Sequence, residues 1–294
     1  MPSLLDKRLV FVTGKGGVGK TTVAAALGLA AARSGKRVVL CELAGQQRMT
    51  QLAPELTTVS VDPDQAKEEW LRYQLKSRTL AGVLGASRMF QYLTAAAPGL
   101  SELLTMGKVW DLAQLEPRTG GPAFDLAVVD APATGHALAM LTAPGTFASV
   151  ARLGPVGRHA ENINRFLRDK RSTGVLMTAL PEEIPVNETI EFERALRDKL
   201  GIGVDRIVMN ALHPVRFKRQ ELERIERVQA ETAVARAALD AALSEHRRAR
   251  AEHAQLRRLR RGTAAAVITL PRVFEPELGR DHVEALSEEL ERKL

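Results

Sequence analysis

The chain has 294 residues, 45% of them hydrophobic and 26% charged, and a formal net charge of +7; it is long enough for one large core or two modest ones. Aromatic residues make up only 4%, so the core is aliphatic and alanine-rich, and the single cysteine, Cys41, excludes an internal disulfide or a multi-thiolate metal site. No apolar run approaches the roughly 20 residues of a membrane span, and the opening MPSLLDKRLVFVTG lacks the pattern of a secretory signal, so a cytoplasmic protein is expected.

In chain order, KRLVFVT (7–13) has the pattern of a short buried strand and runs into a glycine-rich loop. KTTVAAALGLAAARSG (20–35) predicts a helix ended by Gly35, and KRVVLCE (36–42) a second strand. Further strands are predicted in FDLAVVDAP (124–132), TGVLMTALP (173–181), VDRIVMNA (204–211) and AAAVITLP (264–271). Helical patterns cover 186–199, a long stretch from about 216 that reads as one long helix or a hairpin, and 281–293. Strands alternating with helices predict an α/β fold: a mainly parallel sheet covered by helices on both faces, with ligands at the carboxyl ends of the strands.

Two stretches break the alternation. Residues 65–115 carry Leu75, Leu80, Val83, Leu84, Met89, Phe90, Leu93, Leu100, Leu103, Leu104 and Met106 at mostly helical spacings, and 137–170 are similar but more polar. The expected organisation is an α/β core from 1–64 and 116–294, with an inserted helical subdomain from 65–115 and parts of 137–170.

GKGGVGKTT (14–22) matches the phosphate-loop pattern G-x-x-x-x-G-K-[ST] in full, between a strand and a helix as the motif requires. Gly14, Gly16, Gly17, Val18 and Gly19 supply backbone N–H groups that can converge on phosphate oxygens, next to the positive end of a helix. Lys20 is the expected partner of the β- and γ-phosphates, and Thr21, followed by Thr22, the expected Mg²⁺ ligand of a P-loop NTPase. Asp130 ends its strand where an aspartate can hold Mg²⁺ through water. ATP and Mg²⁺ are the expected cofactors.

Lys15 is a second lysine in the loop. GKGGVGKTT resembles the deviant Walker A loop of a P-loop class that includes nitrogenase iron protein, partitioning ATPases, and the arsenical-pump and tail-anchored-protein-targeting ATPases. The resemblance implies that Lys15 reaches across a dimer interface to the partner's nucleotide, as an arginine finger does; a solvated loop lysine is the competing reading. DAPATGHALAML (130–141) is similar to switch II of the arsenical-pump and tail-anchor-targeting family (the ArsA family), with Thr134, Gly135 and His136 at matching spacing and Gly135 as the implied pivot. On its own, His136 would read as an ordinary core histidine. LPEEIPVNET (180–189) resembles the family's junction after the fourth strand, IVMNALHP (207–214) its adenine-reading segment through Asn210, and ITLPRVFEPEL (268–278) its last strand and loop, with Pro271 and Arg272 near the base.

The chain departs from the family's Asp-Pro-Ala-His switch I. VVLCELAGQQRM (38–49) puts Glu42 where the aspartate that orients water is expected and Gly45 where the histidine would be. Glu42 is therefore the candidate base, and Gln46 and Arg48 have no assigned role. Cys41 alone can form neither the paired-cysteine zinc clamp nor the metalloid site of some relatives.

The basic stretch HRRARAEHAQLRRLRRG (246–262) clusters Arg247, Arg250, Arg257, Arg258 and Arg261 on about a quarter turn of a helical wheel, with Leu256 and Leu259 opposite. A solvated face, anionic lipid or an acidic partner are its readings; nucleic acid is disfavoured because no aromatic residue is interleaved. The resemblance implies a homodimer or a heterodimer with a related ATPase. It also implies an ATP-driven targeting factor or chaperone for hydrophobic membrane-protein segments, with a regulatory or scaffold ATPase as the alternative and an anion-transporter subunit as a lesser one.

Overall fold

The computed structural model describes residues 3–43, 48–75, 99–118, 120–151 and 154–294. Seven parallel strands, β1 (Leu9–Gly14), β2 (Val38–Glu42), β3 (Thr57–Ser60), β4 (Leu126–Ala133), β5 (Thr173–Ala179), β6 (Arg206–Leu212) and β7 (Ala266–Pro271), form one sheet in the order β3-β2-β4-β1-β5-β6-β7. All seven are joined through crossovers, which parallel pairing requires.

Strand β1 lies in the middle, between β4 and β5. Its side chains alternate between two cores, as strand geometry demands. Leu9 and Phe11 belong to one core with Met106, Val109 and Leu167. Val10 and Val12 belong to the other with Leu27, Met49 and Leu286. The second core is covered by α1 (Lys20–Arg33), α2 (Arg48–Leu52) and α10 (Arg280–Glu291). The first is covered by α4 (Leu100–Leu112), α5 (Thr134–Val150), α6 (Pro155–Arg168), α7 (Glu183–Leu200) and the last turns of α9 (Ala233–Gly262). Between β3 and α4 lies α3 (Pro63–Leu75), packed on α4; α8 (Arg219–Arg227) precedes α9 and buries no side chain.

The six strands expected from sequence are present, and β3 is an addition. It sits at the sheet edge with no fully buried side chain, so it lacks the apolar signature by which a strand is read. The long helix expected from about 216 is two helices, α8 and α9, the second opened by Thr232, whose side chain accepts from Ala235 N at 3.1 Å. Leu256 and Leu259 are buried, as the wheel implied. Of the apolar residues read in 65–115, Leu103, Leu104 and Met106 are buried, and Leu103 and Met106 share the sheet's own core. Leu80, Val83, Leu84, Met89, Phe90 and Leu93 lie outside the described residues.

β1 and β5 approach closely at Gly14. A Cβ there would lie 2.1 Å from the Thr178 carbonyl oxygen, which is backbone and has no room to yield. Gly14→Ala is therefore expected to lower unfolding stability by about 3 kcal/mol, measured by urea denaturation; a midpoint equal to that of the parent would show that the two strands can separate freely.

Candidate functional site

The carboxyl ends of β1, β2, β4 and β6 bring the expected residues to one edge of the sheet. β1 ends in the glycine loop, which turns into α1 at Lys20. Gly19 caps α1 in the left-handed region, at φ 89°, and a Cβ on it would lie 2.5 Å from Asn210 Nδ2. Only glycine meets both demands. Asn210 Nδ2 donates to the Val18 carbonyl at 3.0 Å, so the end of β6 is tied to the loop from the far side of β5. A Cβ on Gly16 or Gly17 would meet nothing within 4 Å, which leaves the loop backbone open to a phosphate group.

Lys20 Nζ donates to the Lys15 carbonyl at 3.1 Å. Burial pushes its pKa down, and the charge of Asp130 opposes that shift. Thr21 Oγ1 donates to Asp130 Oδ2 at 2.6 Å, and Thr13 Oγ1 to the Pro132 carbonyl at 3.1 Å. These two bonds fix the loop and the end of β4 to each other. Burial raises the pKa of Asp130 above the ordinary aspartate range; the Thr21 hydroxyl and Lys20 act against it, and Glu42 reinforces it.

Glu42 and Asp130 are direct neighbours in the β2–β4 register. Glu42 is only 3% exposed, and its Oε1 accepts from Met49 N, in the first turn of α2, at 2.8 Å. Neither Glu42 Oε2 nor Asp130 Oδ1 has a hydrogen-bond partner among the described residues. Buried carboxylate oxygens without donors are costly, and the unpartnered oxygen of Asp130, next to the Thr21 hydroxyl, offers the hard-oxygen donors that fit Mg²⁺. Gly45 and Gln46 lie outside the described residues.

Past the loop, Thr22, Arg48, Gln51, Asn210, Pro271 and Arg272 line one open groove of about 640 Å³, a size that accommodates a nucleoside. Asn210 and Ala211 sit at an irregularity in the β6–β7 register, where Ala211 adopts φ 55°. Arg272 N returns to the Leu212 carbonyl at 3.0 Å, which places the loop after β7 on the same wall. Gln51 was not singled out from the sequence, and Arg48 gains a location there.

Thr134, Gly135 and His136 form the first turn of α5, directly after β4. His136 is exposed, so it is not a core histidine. Thr134 Oγ1 lies 3.4 Å from Glu188 Oε2 on α7, and Lys15 forms an ion pair with Glu188 Oε1. Glu188 is the residue that the sequence reading missed; it lies inside LPEEIPVNET, but nothing local in that segment reveals a partner so distant in the chain.

Cys41 is fully buried, and burial pushes its thiol up to about 12, against a smaller opposing effect of Lys108. Among the described residues, no group of three or more His, Cys, Asp or Glu is placed to hold a metal ion, and no helix is long and apolar enough to cross a membrane. Arg247, Arg250, Arg257, Arg258 and Arg261 are all exposed on α9, with Arg258 3.7 Å from Glu183.

Comparison with known proteins agrees with this architecture. A family model described as anion-transporting ATPase matches residues 7–157, a span holding the glycine loop, Glu42, Asp130 and the Thr134–His136 turn. ATPase BagA of Mycobacterium tuberculosis is 30% identical over 234 residues, which cover 73% of this chain and 68% of that protein. ATPase GET3 of Chaetomium globosum is 25% identical over 266 residues, covering 72% of this chain and 76% of its own. With a complete phosphate loop, an aspartate in the carboxyl half of β4 and these relatives, the chain belongs to the anion-transporting ATPase (ArsA) family and is a nucleotide-binding, ATP-hydrolysing enzyme.

Proposed function

We propose that this ATPase is a Mg²⁺-dependent dimeric switch that handles hydrophobic segments of membrane proteins as a targeting factor or chaperone. The observation that carries the switch is the Thr21–Asp130 bond, which joins the phosphate loop to the strand that leads into the Thr134–His136 turn. Thr21 and Asp130 would hold Mg²⁺, which when bound supplies positive charge to the β- and γ-phosphates. Lys20 exchanges its loop carbonyl for phosphate oxygens. The groove beside Asn210, Pro271 and Arg272 takes the nucleoside.

Glu42 orients the attacking water through Oε2. Its other oxygen caps α2, and its carboxylate is covered, so α2 has to shift before water reaches it. Lys15 acts on the γ-phosphate of a second copy, which makes hydrolysis depend on dimer geometry. Loss of that phosphate moves the start of α5 about Gly135, and α5 carries the change to α4 and α6, on which it packs. The client role rests on the family resemblance and on the presence of GET3 among the relatives. The exposed arginine face of α9 favours a second reading, a regulatory or scaffold ATPase that docks an acidic protein or membrane surface there.

Lys20→Ala is expected to abolish ATP binding and turnover. Lys15→Ala should keep ATP affinity within about threefold and lose turnover by roughly 100-fold or more; normal hydrolysis by Lys15→Ala would refute action in trans. Asp130→Asn tests the metal site separately. Because burial raises the pKa of Asp130, its charge weakens the fold once pH has risen past the ordinary aspartate range and through the raised value. The neutral variant is therefore expected to melt about 2 °C higher near neutral pH without ligand, yet to lose the further rise that Mg²⁺ and ATP give the parent. Fluorescence anisotropy of a labelled single-span peptide, titrated with a Glu42→Gln variant that retains ATP, separates the two biological readings. Saturable, ATP-dependent binding supports the targeting factor; dimerisation by ATP without peptide binding supports the scaffold.

A further inference from the structure

Glu188 is where the phosphate loop and the start of α5 meet. Its Oε1 holds the ammonium of Lys15, from the phosphate loop, and its Oε2 lies 3.4 Å from the hydroxyl of Thr134, at the start of α5. The helix that carries it is firmly anchored: Val186 and Thr189 are buried on either side, and Thr189 Oγ1 donates to the Pro185 carbonyl at 2.8 Å. Glu188 therefore stands on a packed helix, while the two groups it meets belong to the phosphate loop and to the start of α5, the segments that the proposed mechanism moves.

One ammonium group cannot face Glu188 of its own chain and the nucleotide of a second copy at once. We propose that Glu188 is a positioning residue that latches Lys15 in cis and sets the threshold at which ATP assembles the active dimer. The proposal rests on the reading of Lys15 as a trans-acting lysine. Dimer closure exchanges the Lys15–Glu188 pair for contact with the partner's phosphates, and the carboxylate that is left retains the Thr134 hydroxyl. The paired side chains are 38% and 30% exposed, so solvent screens the interaction. The latch thus tunes assembly and does not forbid it.

The test uses the full chain and its Glu188→Gln variant. In the nucleotide-free state, limiting acetic anhydride labels lysines, and mass spectrometry reads the rate at Lys15, with the exposed Lys199 on the same helix as control. The variant is expected to label about threefold faster at Lys15 and equally at Lys199; an unchanged Lys15 rate overturns the latch. In the second arm, ATP turnover is followed against protein concentration. Each chain loses one partly screened ion pair, so the half-maximal concentration should fall roughly tenfold for two latches, and the Lys15→Ala/Glu188→Gln double variant should behave as Lys15→Ala. An unchanged or higher half-maximal concentration, in a parent that does depend on concentration and on Lys15, overturns the threshold role. Turnover that is independent of concentration and unaffected by Lys15→Ala instead refutes the trans reading and the threshold with it, and the labelling arm then decides the cis latch by itself.

Discussion

The contact between Thr21 and Asp130 is the constraint around which the functional edge of this protein is organised. A buried carboxylate within a central strand is unfavourable unless something compensates it. Here one oxygen is satisfied by the loop hydroxyl, and the other has no donor among the described residues. The neighbouring strand adds a second carboxylate in the adjacent register position, also with one oxygen unpartnered. Folding thus sets two partly satisfied carboxylates side by side next to the phosphate loop. Their burial costs local stability, which a bound cation would offset under the proposed reading.

Most of this was legible in the sequence because it is local. The phosphate loop needs glycines at fixed positions between a strand and a helix, and both flanking patterns are strong. Asp130 was legible because it follows a run of aliphatic residues, although its strand does not end there and continues to Ala133. Strand β3 was not, because an edge strand with no fully buried residue carries little apolar alternation. The division of α8 from α9 had a readable mark in Thr232, an N-cap residue, but no proline or glycine accompanied it. Glu188 was the hardest to see. Its contacts join the phosphate loop, the start of α5 and α7 in space, and its own segment offers only an unremarkable helical glutamate.

The arginines of α9 show how a pattern can be correct in geometry and open in meaning. The wheel placed Leu256 and Leu259 toward the body and the guanidinium groups outward, and that is their arrangement. Burial of two leucines fixes the helix but says nothing about what its outer side meets. The same distinction applies to Leu103 and Met106, whose helical spacing reflects packing against the sheet.

Cys41 carries a practical consequence of its own. It is the chain's single cysteine, sealed between β3 and β4 with its thiol held protonated far above neutral pH. A thiol in that state neither attacks disulfides nor accepts maleimides at a useful rate. The native protein is in effect a thiol-silent background. A cysteine placed on its surface would be the one reactive handle, so spin labels or dye pairs can report distances between copies without any prior removal of native sulfur.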